Sequence, residues 1–126
     1  MDAVSPALLK FFLKYLKRIG RMVKKKGRWT VMAVRIVIDR KVKKGKEVEF
    51  AKMLRELRTK VVPSKGYISG ETLRSLNDHS NFIVITTWQS VGDWKEWEKN
   101  PERKKVQAKI EKLMARPTKT KIYVYA

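Results

Sequence analysis

A single histidine, His79, and no cysteine leave this 126-residue sequence with little equipment for nucleophilic or metal chemistry. Without Cys there is no thiolate nucleophile, zinc ribbon, iron–sulfur ligand set or disulfide scaffold, and one His removes most metal triads and Ser-His-Asp chemistry. What remains is aromatic and cationic: four Trp and four Tyr among 31 Lys and Arg. Trp94 and Trp97 are spaced i, i+3 and share a helix face, which is met more often in a core or a subunit interface than in a ligand cage. Trp88 ends an apolar stretch, where a core position is the plainer reading. Arg35 lies among Val and Ile; it either points to solvent from a strand or, buried, needs a partner. His79 reads as a plain turn residue. The run Arg103-Lys104-Lys105 at a helix start opposes the dipole preference and reads as a solvated basic face unless a ligand anion meets it.

The elements that must position these groups follow from length and pattern. The length suits one domain, and 43% apolar residues can build one core, which excludes a wholly disordered basic tail. The net charge of +19 comes from 31 basic and 12 acidic side chains. No apolar run is long enough to span a bilayer and no secretory leader is visible, so the expected setting is the cytoplasm, with contact at a membrane surface as the other option.

Residues 1–28 form an arm with nine basic side chains and one acid, Asp2. At 100° per residue its Leu, Phe, Ile, Val, Met and Tyr side chains fill one arc of roughly 200°, and Lys10, Lys14, Lys17, Arg18, Arg21, Lys24 and Lys25 fill the other. Ser5-Pro6 is an N-cap and first-turn pair, and Lys24-Lys25-Lys26-Gly27 suits a C-terminus, so residues 6–26 read as one basic amphipathic helix. Its apolar face packs on the body or a second subunit, or lies on an anionic membrane with those seven cations at the headgroups. Packing is the commoner fate of such a helix.

Residues 29–126 read as the folded body. Residues 30–39 are β-branched and read as a strand; Lys46 to about Val62 has helical spacing and stops before Pro63. Residues 66–76 and 82–88 flank a turn at 77–81 and form a hairpin. Ser90 with Asp93 begins a short helix, Asn100-Pro101 begins another that runs to about Met114, and Lys119 to Tyr125 is the last strand. The order β-α-β-β-α-β is the split βαβ of a ferredoxin-like α+β fold. Helices on one sheet face leave the other needing cover, and a homodimer through the sheet is the expected remedy.

Residues 31–126 resemble the antibiotic biosynthesis monooxygenase superfamily, whose members are dimeric α+β barrels. The resemblance is carried by Val42-Lys43-Lys44-Gly45-Lys46-Glu47-Val48-Glu49-Phe50 after the first strand, the Pro63-Ser64-Lys65-Gly66-Tyr67 turn, and Asn81 to Ser90, followed by Trp94, Trp97 and Asn100-Pro101. It implies either cofactor-independent oxygenation of quinols or polyphenols, or heme binding and degradation. Heme degraders of this type hold iron with a His about ten residues after a Trp, assisted by an Asn on the first strand. Here that Trp matches Trp97, but the His position falls on Gln107 and the Asn position near Ile38, which disfavours the heme reading.

Oxygenation asks for less, because a deprotonated quinol can itself reduce O₂ if held and shielded from water, with no metal, flavin or other cofactor. On that reading Trp88, Trp97, Arg35 and Tyr67 rank first as catalytic candidates, and Trp94, Asn81, Arg74 and Tyr123 as substrate-binding ones. Many members carry a His at the place of Glu102, so a carboxylate would have to act as base. The hollow is expected between two copies, beside Trp88 and Trp97. A polyanion-binding role competes on charge alone, but no helix-turn-helix, zinc finger or RNA-recognition aromatic pair is present, so nucleic acid is not the expected main partner. A non-catalytic membrane-surface module is the third option. The sequence leaves catalysis itself open.

Overall fold

The computed structural model describes residues 33–126 in full and, N-terminal to them, the backbone of two short strands. These are β1 (Met22–Lys25) and β2 (Arg28–Val31), paired antiparallel from Met22 with Val31 to Lys25 with Arg28. The expected helix over 6–26 therefore gives way to strand at 22–25, and Lys24 and Lys25 lie on strand backbone. The rest of that helix, with Lys10, Lys14, Lys17, Arg18 and Arg21, lies outside the described residues.

The body runs β3 (Val34–Lys41), α1 (Glu47–Val61), β4 (Tyr67–Arg74), β5 (Asn81–Trp88), α2 (Val91–Lys99), α3 (Pro101–Glu111) and β6 (Lys119–Val124). The sheet order is β4-β5-β3-β6, every neighbour antiparallel, as in a ferredoxin-like α+β fold. The first strand of this sheet starts at Val34 rather than Thr30. The unbroken β-branched run conceals that residues 28–31 belong to a separate two-stranded ribbon.

Along β3 burial alternates strictly: Val34, Ile36, Ile38 and Arg40 are buried, and the residues between them are partly exposed. That is the period of two that puts alternate side chains on opposite faces. β5 repeats it with Phe82, Thr86 and Trp88 buried. The helices cover this face. Ser90 Oγ accepts the Asp93 N–H to cap α2, and Asn100 Oδ1 accepts the Glu102 N–H at the start of α3, as the sequence predicts.

The core has two halves. One gathers Val34, Ile36, Ile38, Val61, Trp88, Trp94 and Trp97. The other gathers Val42, Phe50, Phe82, Val106, Ile110, Leu113 and Met114, and Leu57 of α1 packs against both. Between Ile38 of β3 and Val42 just beyond its end stands Arg40, 1% exposed. A cation thus interrupts an otherwise apolar layer.

Candidate functional site

Arg40 is held from one side only. Its Nη2 donates to Gln107 Oε1 at 3.1 Å, and Gln107 Nε2 donates on to Glu111 Oε1 at 2.6 Å. Its Nε and Nη1 are buried and make no hydrogen bond. Burial, and secondarily the like charge of Arg103, lower its pKa to about 10, outweighing the opposite pull of Glu111. It is still a cation at neutral pH, and a buried cation short of partners is costly in a structural role.

Arg40 borders a cleft of about 60 Å³ between the sheet and the helices. Ile38 and Arg40 come from β3, Thr86 from β5 and Tyr67 from β4; Leu57 and Arg58 close it from α1, Trp94 and Trp97 from α2, and Arg103 from α3. The Arg103 guanidinium lies over the Trp94 ring, 5.4 Å from its centroid, and burial lowers its pKa. The Trp94 Nε1–H is also buried without an acceptor. Tyr67 meets Trp88 edge-on at 5.4 Å, and burial raises its phenol above the ordinary range. Gly70 gives that phenol its room, since a Cβ there would stand 2.6 Å from the Tyr67 hydroxyl.

Of the residues singled out in the sequence, the structure brings four together: Trp88, Trp94, Trp97 and Tyr67. Trp97 stacks on Trp88 at 6.4 Å and 26°, and Trp94 meets it edge-on at 5.9 Å. Trp88 is fully buried behind the wall, its Nε1 donating to Thr86 Oγ1 at 3.0 Å, and does not border the cleft.

The other four candidates lie elsewhere. Arg35 alternates to the face away from the helices, where it pairs with Glu71 at 3.4 Å. Tyr123 pairs with Arg35 across β3 and β6 and is 50% exposed. Asn81 pairs with Lys41 at the far end of the sheet. Arg74 stacks over Phe82 at 4.9 Å, away from the tryptophans.

Glu102 is also removed from the cleft. It binds Lys60 on the outside of the helices at 2.7 Å, and that bond holds its carboxyl below the usual range. Glu71 borders the cleft, but its carboxylate is committed to Arg35. His79 lies in the β4–β5 turn, as expected. At the two positions that matter to the heme reading, Gln107 Oε1 is occupied by Arg40 and Ile38 is buried apolar core. Among the described residues, no group of His, Asp and Glu could hold a metal ion and no helix is long and apolar enough to cross a membrane.

Sequence reasoning missed Arg40, Arg103 and Gln107. A signal for the first existed: in Val34 to Lys41, Arg40 has the same parity as Val34, Ile36 and Ile38, the apolar face of the strand. The basic run at 103–105 carried a weaker one, that only a ligand anion would make sense of it inside the fold.

The family model for antibiotic biosynthesis monooxygenase matches residues 33–109, and the chain belongs to that family. Its body is similar to a conserved protein from Methanosarcina mazei Go1, with a TM-score of 0.73 and 19% identity over 76% of this chain and 95% of that one. It is similar to SnoaB, a cofactor-independent oxygenase from Streptomyces nogalater, with a TM-score of 0.69 and 13% identity over 75% and 93% of the two chains. A protein from Mycobacterium tuberculosis also gives a TM-score of 0.69, at 14% identity over 75% and 95%. No curated protein matches the chain at a significant level.

Proposed function

We propose that this protein is a cofactor-independent monooxygenase acting on a quinol or polyphenol-like ring in the cleft between sheet and helices. The observation that carries the reading is the cleft itself, walled by Trp94, Trp97 and Tyr67 and bordered by Arg58 and Arg103, in a chain of this family.

The chemistry needs ionisation, shielding and positioning. Nearby cations favour a phenolate over a phenol, and with no free carboxylate in the cleft the proton leaves to water through the open side. The phenolate gives electrons to O₂, a carbon–oxygen bond forms on the ring, and loss of water leaves the oxidised ring. In balance, a quinol and O₂ give a hydroxyquinone and water, with one oxygen atom in each product. The aromatic walls exclude water from the intermediate.

At about 60 Å³ the cleft is smaller than the cavity of about 150 Å³ that accommodates a benzene ring. Entry of a substrate displaces the exposed Arg58 side chain at the α1 rim. Unlike the hollow expected between two copies, this cleft lies within one chain. We infer a homodimer through the opposite sheet face, where β3 and β5 place Val37, Ile83 and Ile85 together; a monomer by light scattering would overturn that without removing the cleft.

The test is naphthohydroquinone with isotope-labelled O₂. The expected product is hydroxynaphthoquinone carrying one labelled atom, formed in proportion to protein. Only plain naphthoquinone and hydrogen peroxide, the uncatalysed outcome, would overturn the reading.

A further inference from the structure

Among the residues that line the cleft, every buried polar side-chain atom without a partner is a donor: Arg40 Nε, Arg40 Nη1 and Trp94 Nε1. Orphaned donors call for an acceptor on the ligand, and a carboxylate, which only accepts, meets them more strongly than a neutral phenol does. The charges agree. Arg40, Arg58 and Arg103 border the cleft, while the carboxylate of the lining residue Glu71 turns to Arg35 on the other face of the sheet.

The position of Arg40 strengthens the case. It occupies the strand position that joins the two apolar halves of the core, where a Leu or Met would complete the packing. Its one bond, to a neutral Gln, orients the guanidinium without neutralising it. An ion pair would have satisfied the arginine; a glutamine leaves its charge available.

From these donors we propose that Arg40, with Arg103 beside it and Trp94 Nε1 as a third donor, forms a subsite for a carboxylate on the aromatic ligand, so that the ligand is an aromatic acid bound as its anion. The ring lies against Trp94 and Trp97 and the carboxylate reaches the floor at Arg40. This deepens the oxygenase reading and takes from it only the aromatic nature of the ligand.

The experiment compares naphthoate with naphthamide, the same ring without the charge, by quenching of tryptophan fluorescence in the full chain. Measurements at moderate and at high salt separate the pocket from the diffuse attraction of a +19 protein for anions. Naphthoate is expected to bind at least tenfold more tightly than naphthamide at both salt concentrations. Arg40→Met is expected to abolish that preference, Arg103→Gln to reduce it several-fold, and Lys121→Gln, on the exposed last strand, to leave it intact. Arg103→Gln keeps the test decisive if Arg40→Met does not fold.

Equal binding of the two ligands, or a preference that disappears with salt and ignores both arginines, would overturn the subsite. Naphthoate binding that depends on Arg40 without oxidation of any quinol would overturn the oxygenase reading and leave the subsite standing. Oxidation of naphthohydroquinone with no preference for naphthoate would do the reverse.

Discussion

Arg40 on β3 and Gln107 on α3 meet at 3.1 Å across the layer between sheet and helices, and this bond aims the guanidinium at the cleft. Gln107→Leu removes the only acceptor of a buried cation. An unsatisfied buried donor costs about 1–3 kcal/mol, more when charged, so the urea midpoint is expected to fall by at least that equivalent. Gln107→Glu tests the same bond from the other side. A carboxylate there pairs with Arg40 but gives up the bond donated to Glu111 for a like charge, so the variant is expected to melt lower while naphthoate affinity drops toward that of naphthamide.

Arg40→Met carries the opposite expectation for stability. Replacing a buried, poorly compensated charge with an apolar side chain of similar volume is commonly neutral or stabilising, by up to about 4 kcal/mol. The variant is therefore expected to melt at or above the temperature of the unaltered chain while losing its anion preference. A clear fall in melting temperature would mean that Arg40 is a structural residue.

The fold was largely legible because its signals are local. The β-branched run before Lys41, the stripe Phe50, Met53, Leu54 and Leu57, the Ser90 and Asn100 caps and the turn around Asp78 each announce an element through period or capping. The division of residues 28–41 between two sheets was not legible, since Val31 to Val34 contains no breaker. Four of the eight candidate residues lie together in the fold: Trp94, Trp97 and Tyr67 converge, with Trp88 behind them. Arg35 and Arg40 differ in strand parity, which puts Arg35 on the outer face of β3 and Arg40 on the buried one. The convergence of Arg40, Arg103 and Gln107 joins residues 67 positions apart, which no local pattern encodes.

Asp78 sets an acid limb for stability. Its carboxylate accepts from Lys41, and from the backbone and hydroxyl of Ser80 at 3.1 and 2.6 Å. The bonds to Lys41 and Ser80 lower its pKa from 3.8 to about 2. A carboxyl depressed in the folded state contributes stability that is present above its unfolded pKa and is lost as pH falls toward the folded one. Melting temperature is therefore expected to decline between about pH 4 and pH 2, and Asp78→Asn to lie below the unaltered chain at neutral pH and converge with it at the acid end. Parallel curves would exclude Asp78 as the cause.

Gly70 and Tyr67 give a test of shape. A methyl group at position 70 meets the Tyr67 hydroxyl, which stands 2.6 Å from where the Cβ would be. Gly70→Ala is expected to turn the phenol out of its place and to change naphthoate and naphthamide affinity alike. If neither affinity moves, Tyr67 is no wall of the binding site.

Trp88 and Trp97 are stacked neighbours, yet only Trp97 borders the cleft. Removing the fully buried Trp88 indole in Trp88→Ala leaves a large cavity and is expected to cost about 3–5 kcal/mol. The milder Trp88→Phe loses the bond to Thr86 Oγ1 and is expected to melt lower while binding naphthoate nearly as well. Trp97→Ala removes a wall instead, so under conditions where circular dichroism shows it folded, affinity for both naphthoate and naphthamide is expected to drop at least tenfold. Such a loss, with the ratio between the two ligands preserved, would separate the aromatic wall from the arginine floor, because the first recognises a ring and the second a charge.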